Sequence, residues 1–508
     1  MRTDQRQNES RRRWRFLTAV LFAAKCLWIL LLAAALAAGV YFSAPWKVTA
    51  LLAVLVVTPT IVPKRARKYI YLVVVIIFFS LAVWVFLPED NGGWEPYVFK
   101  DELAALAAKL HVPDEVNAAV IYNELLAGYE WDSGDREMLQ CLPEGASEEA
   151  RYLLELQAVA GAGVDTERTV AALLKATRLE RCYFEIPHRV SLLEGQLERF
   201  QAIKLWTRLL HASAERAGKS GDAATALDRY AAILKMGDHM YQQAAPLDFL
   251  LGLAVESMPL EGINELIMGA RLEAAQLVEL ESMLACGGFD WPSGFARIMD
   301  YEKLYTKQSL ACMYEMNDKG AIRARMPSIH YGQPQAEPIG RTRLDKLAAV
   351  AFWFVWFGPD EISRRVDENF EPCYAMGDLN HGGFAEPGSL SMKFDWSIAG
   401  MFKPNEHLYS YWRPLHLRAR ARRDGASLLA ALQRFRLVEG EYPATLGDMR
   451  TEGGQIEEAS ERGWASFVYR REGEGFVLYH TGANGVDDGG IADNSAGIDD
   501  VMIWPVKR

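Results

Sequence analysis

Three apolar runs within the first 87 residues limit what the chain can fold into more than any other feature. Phe16 to Phe42 carries a single charge, Lys25, near its start; Val48 to Val62 is shorter and contains Pro59; Tyr69 to Leu87 is uncharged and rich in Val, Ile and Phe. A helix needs ~20 apolar residues to cross the hydrocarbon of a bilayer. The outer two runs meet that length. The middle one is about a turn short, and Trp46 and Lys47 at the interface would complete it; a re-entrant segment is the alternative. Arg11, Arg12, Arg13 and Arg15 precede the first run, Lys64, Arg65, Arg67 and Lys68 separate the second from the third, and the link between the first two holds only Lys47. The positive-inside rule then places the N-terminus and residues 64–68 in the cytoplasm and residues 88–508 outside. The expectation is a multi-pass protein with the lipid bilayer as a partner. A cleaved signal peptide does not fit runs of this length and number.

Charge is divided in the same way. Residues 1–87 hold twelve Lys and Arg against two Asp and Glu, while the 508-residue chain is −11, which leaves −21 on residues 88–508. Such acidity argues against nucleic acid as a partner of the large exported part. Six cysteines, none in a CxxC spacing, give no zinc or redox motif. One or two disulfides among Cys141, Cys182, Cys286, Cys312 and Cys373, or buried free thiols, both fit.

Beyond a polar linker at 88–100, residues 101–315 show apolar positions recurring at three and four, the period of helices. The clearest unit is a helical hairpin. Leu205, Trp206, Leu209, Leu210 and Ala214 line one helix, the turn is Gly218-Lys219-Ser220-Gly221-Asp222, and Ala226, Leu227, Tyr230, Ile233 and Leu234 line the next. Asp222 suits the N-cap of that second helix. The hairpin resembles a tetratricopeptide repeat, but no second copy follows at a fixed period, so an irregular helical array is expected. Residues 316–412 scatter prolines through an irregular helical region, and the run Ala348–Phe357 inside it is too short to span a membrane.

A terminal domain at 413–508 is expected to start with a helix opened at its first turn by Pro414 and ended at Gly440. Ser466–Arg470 and Phe476–His480 read as a β-hairpin about Glu472-Gly473-Glu474-Gly475, with Val501–Trp504 as a third strand. The fold class so predicted is membrane-anchored and mainly α, with three transmembrane helices, a helical array and a C-terminal α+β domain.

The segment Ala431-Leu432-Gln433-Arg434-Phe435-Arg436-Leu437-Val438-Glu439-Gly440-Glu441-Tyr442-Pro443, with the closing Gly-Ala-Asn-Gly…Gly-Gly…Asp-Asp…Trp pattern, resembles the C-terminal domain of the G-type major pseudopilin of type II secretion. The likeness covers about the last ninety residues. The whole layout resembles uncharacterised bacterial multi-span membrane proteins in which a helical region precedes such a domain. The resemblance implies a calcium loop with ligands at Asn484, Asp487 or Asp488, and Asp499 or Asp500, and carbonyl oxygens near Tyr479. Calcium takes six to eight oxygens, which carboxylates and carbonyls on irregular loops supply. Where this chain has Asn484 the family more often has Asp, and the loss of that charge would weaken binding; a solvated loop held by its own Asx turns is the alternative. Residues 1–30 lack the leader and Glu-bearing helix of a pseudopilin, so processing and polymerisation are not expected. The resulting expectation is a non-enzymatic interaction or scaffold protein of the bacterial inner membrane, its large part periplasmic, with an unidentified envelope protein as partner. An accessory of a secretion or pilus machine is the alternative. A membrane-bound hydrolase would draw on Asp238-His239, Asn380-His381 or Glu406-His407, but HExxH, GxSxG and GxxxxGK[ST] are absent.

Overall fold

The computed structural model describes residues 93–128, 166–186, 196–269, 272–311, 314–324, 358–377, 406–451, 454–455, 467–482, 484–493 and 498–505. In these the chain is mainly helical with small sheets. Strand β1 (Trp94–Pro96) leads into α1 (Lys100–Leu110), α2 (Ala118–Ala127) and α3 (Thr166–Thr177). The long helices α4 (Gln196–Lys219), α5 (Ala223–Tyr241) and α6 (Pro246–Gly269) follow, then α7 (Ala274–Ala285) and α8 (Trp291–Ala311). Strands β2 (Tyr314–Asn317) and β3 (Ile322–Ala324), helix α9 (Pro359–Tyr374) and the 34-residue α10 (Glu406–Glu439) come next. After the two-residue pair β4 (Arg450–Thr451) and β5 (Gly454–Gln455), β6 (Phe467–Glu472) and β7 (Gly475–His480) form the hairpin. A second short pair, β8 (Ala492–Asp493) and β9 (Ile498–Asp499), precedes β10 (Val501–Trp504).

Local sequence accounts for several boundaries. Asp222 caps α5, its side chain accepting from Thr225 N at 3.1 Å, as a short oxygen-bearing residue does for the unpaired amides of a first turn. Glu273 and Gln276 close a reciprocal capping box at the start of α7. The sheet order β10-β7-β6 is antiparallel throughout, with Phe467 opposite His480 and Val501 on the other side of the same residue.

One hydrophobic core runs from Ala118 in α2 through α4, α5, α6 and α7 to Leu429 in α10 and Val501 and Ile503 in β10. Helix α10 packs on α6 and α7 and carries the three-stranded sheet on β10 and β7. The boundary expected at 412/413 is therefore not a break in packing.

The predicted fold class needs correction. Among the described residues no helix is long and apolar enough to cross a membrane. The 24-residue α6 is largely buried but carries Asp248, Glu256, Glu261 and Glu265, the pattern of a helix inside a protein core. The three predicted spans at 16–87, with the orientation drawn from them, lie outside the described residues, as does the run 348–357.

Two further expectations change. Residues 88–100 were expected to be a linker, yet Trp94–Pro96 pairs with Glu315–Asn317 across more than two hundred residues. Within 316–412, expected to be an irregular helical region, lies the 16-residue α9, which uses Pro359 at its first turn. Helix α10 begins at Glu406, and Pro414 lies inside it. A proline there forfeits one helical hydrogen bond; Trp412, 1 % exposed and 5.8 Å from the ring of Phe249, anchors the turn before it by packing. The described cysteines Cys182, Cys286 and Cys373 are free thiols.

Candidate functional site

The loop between β7 and β10 gathers the residues that the sequence singled out. Its backbone turns at Gly482 with φ +68°, where a Cβ would lie 2.1 Å from Asp499 Oδ1, so only glycine lets the chain pass that carboxylate. The Asp500 Oδ2 atom accepts from Asp488 N at 3.0 Å and from Gly490 N at 2.7 Å. Asp487 Oδ1 accepts from the Tyr479 hydroxyl at 2.7 Å and from Gly489 N at 3.0 Å. Asn484 N donates to Asp499 Oδ2 at 3.3 Å, and Val486 N donates to Asn484 Oδ1 at 2.7 Å. Tyr479, near which carbonyl ligands are expected, lies in β7 and donates its hydroxyl to Asp487.

The electrostatics of this loop are those of crowded carboxylates. Burial raises the pKa of Asp500, and the negative charges of Asp488 and Asp487 raise it further against the two amides that lower it. The Tyr479 hydroxyl and the Gly489 amide hold Asp487 below its usual value. The residue Asp500 is 1 % exposed, and its Oδ1 is buried with no hydrogen-bond partner among the described residues. A buried carboxylate oxygen without a donor is costly. This donor set, carboxylates and a side-chain amide on a glycine-rich loop, fits the chemistry of a hard cation such as calcium. Among the described residues no three His, Cys, Asp or Glu side chains are already drawn together as a metal cluster.

A second constellation lies where α5, α6, α7 and α10 meet, and sequence reasoning missed it. Arg423 on α10, 1 % exposed, reaches Glu256 Oε1 at 3.1 Å and Asp238 Oδ1 at 3.5 Å. Its Nε donates to Leu284 O at 2.9 Å, and its Nη2 donates to Cys286 O. The Tyr241 hydroxyl donates to Glu256 Oε2. Burial opposes the charge of Arg423, but Glu256 and Asp238 outweigh it and raise its pKa. The Asp238 carboxyl is raised in its turn by burial, which exceeds the opposing pull of Arg423. It accepts from Gly288 N at 2.7 Å.

The turn Gly287-Gly288 after α7 is built around this carboxylate. Both glycines have φ near +87°, and a Cβ on Gly287 would lie 2.2 Å from Asp238 Oδ2. Gly287→Ala combines a left-handed backbone with overpacking and is expected to cost about 2–4 kcal/mol, measured as a lower urea midpoint of the full chain. An unchanged midpoint would mean that the turn relaxes freely.

The histidines expected of a hydrolase are accounted for differently. His239 Nδ1 lies 3.0 Å from the Tyr122 hydroxyl and Nε2 lies 2.8 Å from Leu179 O. A carbonyl can only accept, so Nε2 carries the proton and Tyr122 donates to Nδ1. Burial lowers the His239 pKa to about 4, so the ring is a neutral core group with both nitrogens engaged. Asn380 and His381 lie outside the described residues, and of the Glu406 and His407 side chains nothing is described. Asp238 and His239 are adjacent in sequence but sit about 100° apart around α5, one on the Arg423 cluster and the other in the core.

No protein-family model matches the chain, and neither a curated protein nor a solved structure matches it.

Proposed function

We propose that the chain is a non-enzymatic interaction scaffold, a helical body closed by a terminal helix-and-sheet unit whose acidic loop takes calcium. The observation that carries this reading is Asp500 Oδ1, buried and without a hydrogen-bond partner among the described residues, beside the charges of Asp487 and Asp488. A cation there would offset both the missing donor and the repulsion. Asn484, Asp487, Asp488, Asp499 and Asp500 are its candidate oxygen donors. The order of α10, the β6–β7 hairpin, the loop and β10 is what the pseudopilin resemblance implies for this segment, and it supports the same reading. The engagement of both His239 nitrogens weighs against hydrolysis at that residue. Long packed helices such as α4, α5 and α6 suit the presentation of a surface to a protein partner.

The test is the thermal unfolding midpoint of the full chain in calcium and in chelator. Calcium at a hundredfold excess over its Kd stabilises by about 2.7 kcal/mol, so a rise of several degrees is expected. Asp500→Asn keeps an acceptor for the Asp488 and Gly490 amides but removes the charge, and should abolish most of the rise. Equal midpoints in the wild-type chain with and without calcium would sink the proposal.

A further inference from the structure

A cleft of about 800 Å³ opens between the end of α3, the face of α5 and the α7–α8 turn. That volume lies within the range of small-molecule sites. Four cations and four anions line it: Arg178, Lys235, Arg297 and Arg423, with Glu180, Asp228, Asp238 and Asp290. Most of these charges are already engaged. Lys235 pairs with Glu180 at 2.7 Å, and Asp228 pairs with Arg229 at 2.8 Å. The Arg423 guanidinium is held by Glu256 and Asp238; the exposed Asp290 accepts from the Ser293 hydroxyl and keeps its charge.

Two guanidiniums remain. Arg297 donates from Nε to Gln243 O at 3.1 Å and from Nη2 to Tyr241 O, the last carbonyls of α5 and the turn after it. No carboxylate lies within ion-pair distance of it among the described residues. Burial lowers its pKa, and Asp290 attracts it only from a longer range. Arg178, exposed, directly follows α3 and likewise forms no ion pair among the described residues. A guanidinium that has lost much of its water without gaining a carboxylate is unfavourable, and its planar fork matches a carboxylate or phosphate with two parallel hydrogen bonds.

We propose that this cleft is a binding site for a small anionic ligand, held through a carboxylate or phosphate group by the half-buried Arg297 and the exposed Arg178. The site is separate from the acidic loop and does not depend on calcium.

Isothermal titration of the full chain at fixed ionic strength tests it, with inorganic phosphate in one arm and succinate in the other. Saturable binding of one probe is expected, and the probe that binds identifies the group. A charged hydrogen bond contributes about 1.5–3 kcal/mol, so Arg297→Gln should weaken binding by about tenfold or more. Because Arg297 also holds the end of α5, Arg178→Gln at its exposed position keeps the test open if Arg297→Gln does not fold; it too should weaken binding. No saturable heat with either probe, or heat unchanged in a folded variant, would overturn the assignment.

Discussion

Arg423→Ala is expected to lower the stability of the full chain by about 3–5 kcal/mol, the range for removing one partner of a buried ion pair. The guanidinium is 1 % exposed and sits between Glu256 and Asp238, while three backbone carbonyls, of Leu284, Met283 and Cys286, accept from it. Truncation leaves two carboxylates without a counter-ion and the end of α7 without donors. The loss is expected to depend on pH, with a definite sign. Without Arg423 the carboxyl of Asp238, already raised by burial, loses the charge that pulled it down. A carboxyl whose folded pKa exceeds its unfolded value binds protons more tightly in the folded state. The variant therefore loses stability as pH rises through that folded pKa and regains it as pH falls towards the unfolded value. Urea midpoints of wild type and variant at pH 5 and pH 8 give the comparison, and the gap should be smaller at pH 5. A gap that widened towards acid would contradict the assignment of the loss to stranded carboxylates.

The second large effect is expected at Trp206. Its side chain is fully buried in the main core and stacks on Tyr122 with ring centroids 5.8 Å apart. Tyr122 stacks in turn on Phe184 at 6.1 Å and donates to His239. Trp206→Ala removes the largest ring of this group, and a cavity of that kind costs about 3–5 kcal/mol. Trp206→Phe keeps an aromatic face against Tyr122 and should lose less. Denaturant midpoints of the two variants check this order. Equal losses would contradict any contribution from the retained ring, through volume or through stacking.

The parts of this fold that sequence makes legible are those fixed by neighbours along the chain. The hairpin of α4 and α5 follows from the apolar spacing around Trp206 and Tyr230 and from the Gly221-Asp222 turn. The β6–β7 hairpin follows from Gly473 and the alternation before and after it. What stays hidden depends on contacts between distant segments. Strand β1 has three residues and exists because Tyr314–Asn317 offers it a partner. The start of α10 is masked by Pro414, whose local preference for a first turn is overridden by the packing of Trp412. The Arg423 cluster joins residues 167 apart, and the doublet Arg422-Arg423 reads locally as a solvated pair on a helix.

The candidate sites divide in the same way. The acidic residues of the terminal loop stand out by type and spacing, and the structure brings Tyr479, Asp487, Asp488 and Asp500 into one hydrogen-bonded loop, with Asn484 bonded to Asp499 beside them. That the Tyr479 hydroxyl reaches Asp487 is set by the register of β7 against β6 and β10, which residue spacing does not encode. The adjacency of Asp238 and His239 suggests a pair, but helical geometry turns them to different surroundings.

Hydrogen exchange across residues 479–504 of the full chain, in calcium and in chelator, addresses the calcium loop most directly. Asp500 receives the amides of Asp488 and Gly490, so a cation on its other oxygen should fix the carboxylate and slow exchange at those amides and their loop neighbours. The account predicts slower exchange with calcium confined to this loop and the adjoining strands, lost in Asp500→Asn. Identical exchange in the two conditions would contradict it.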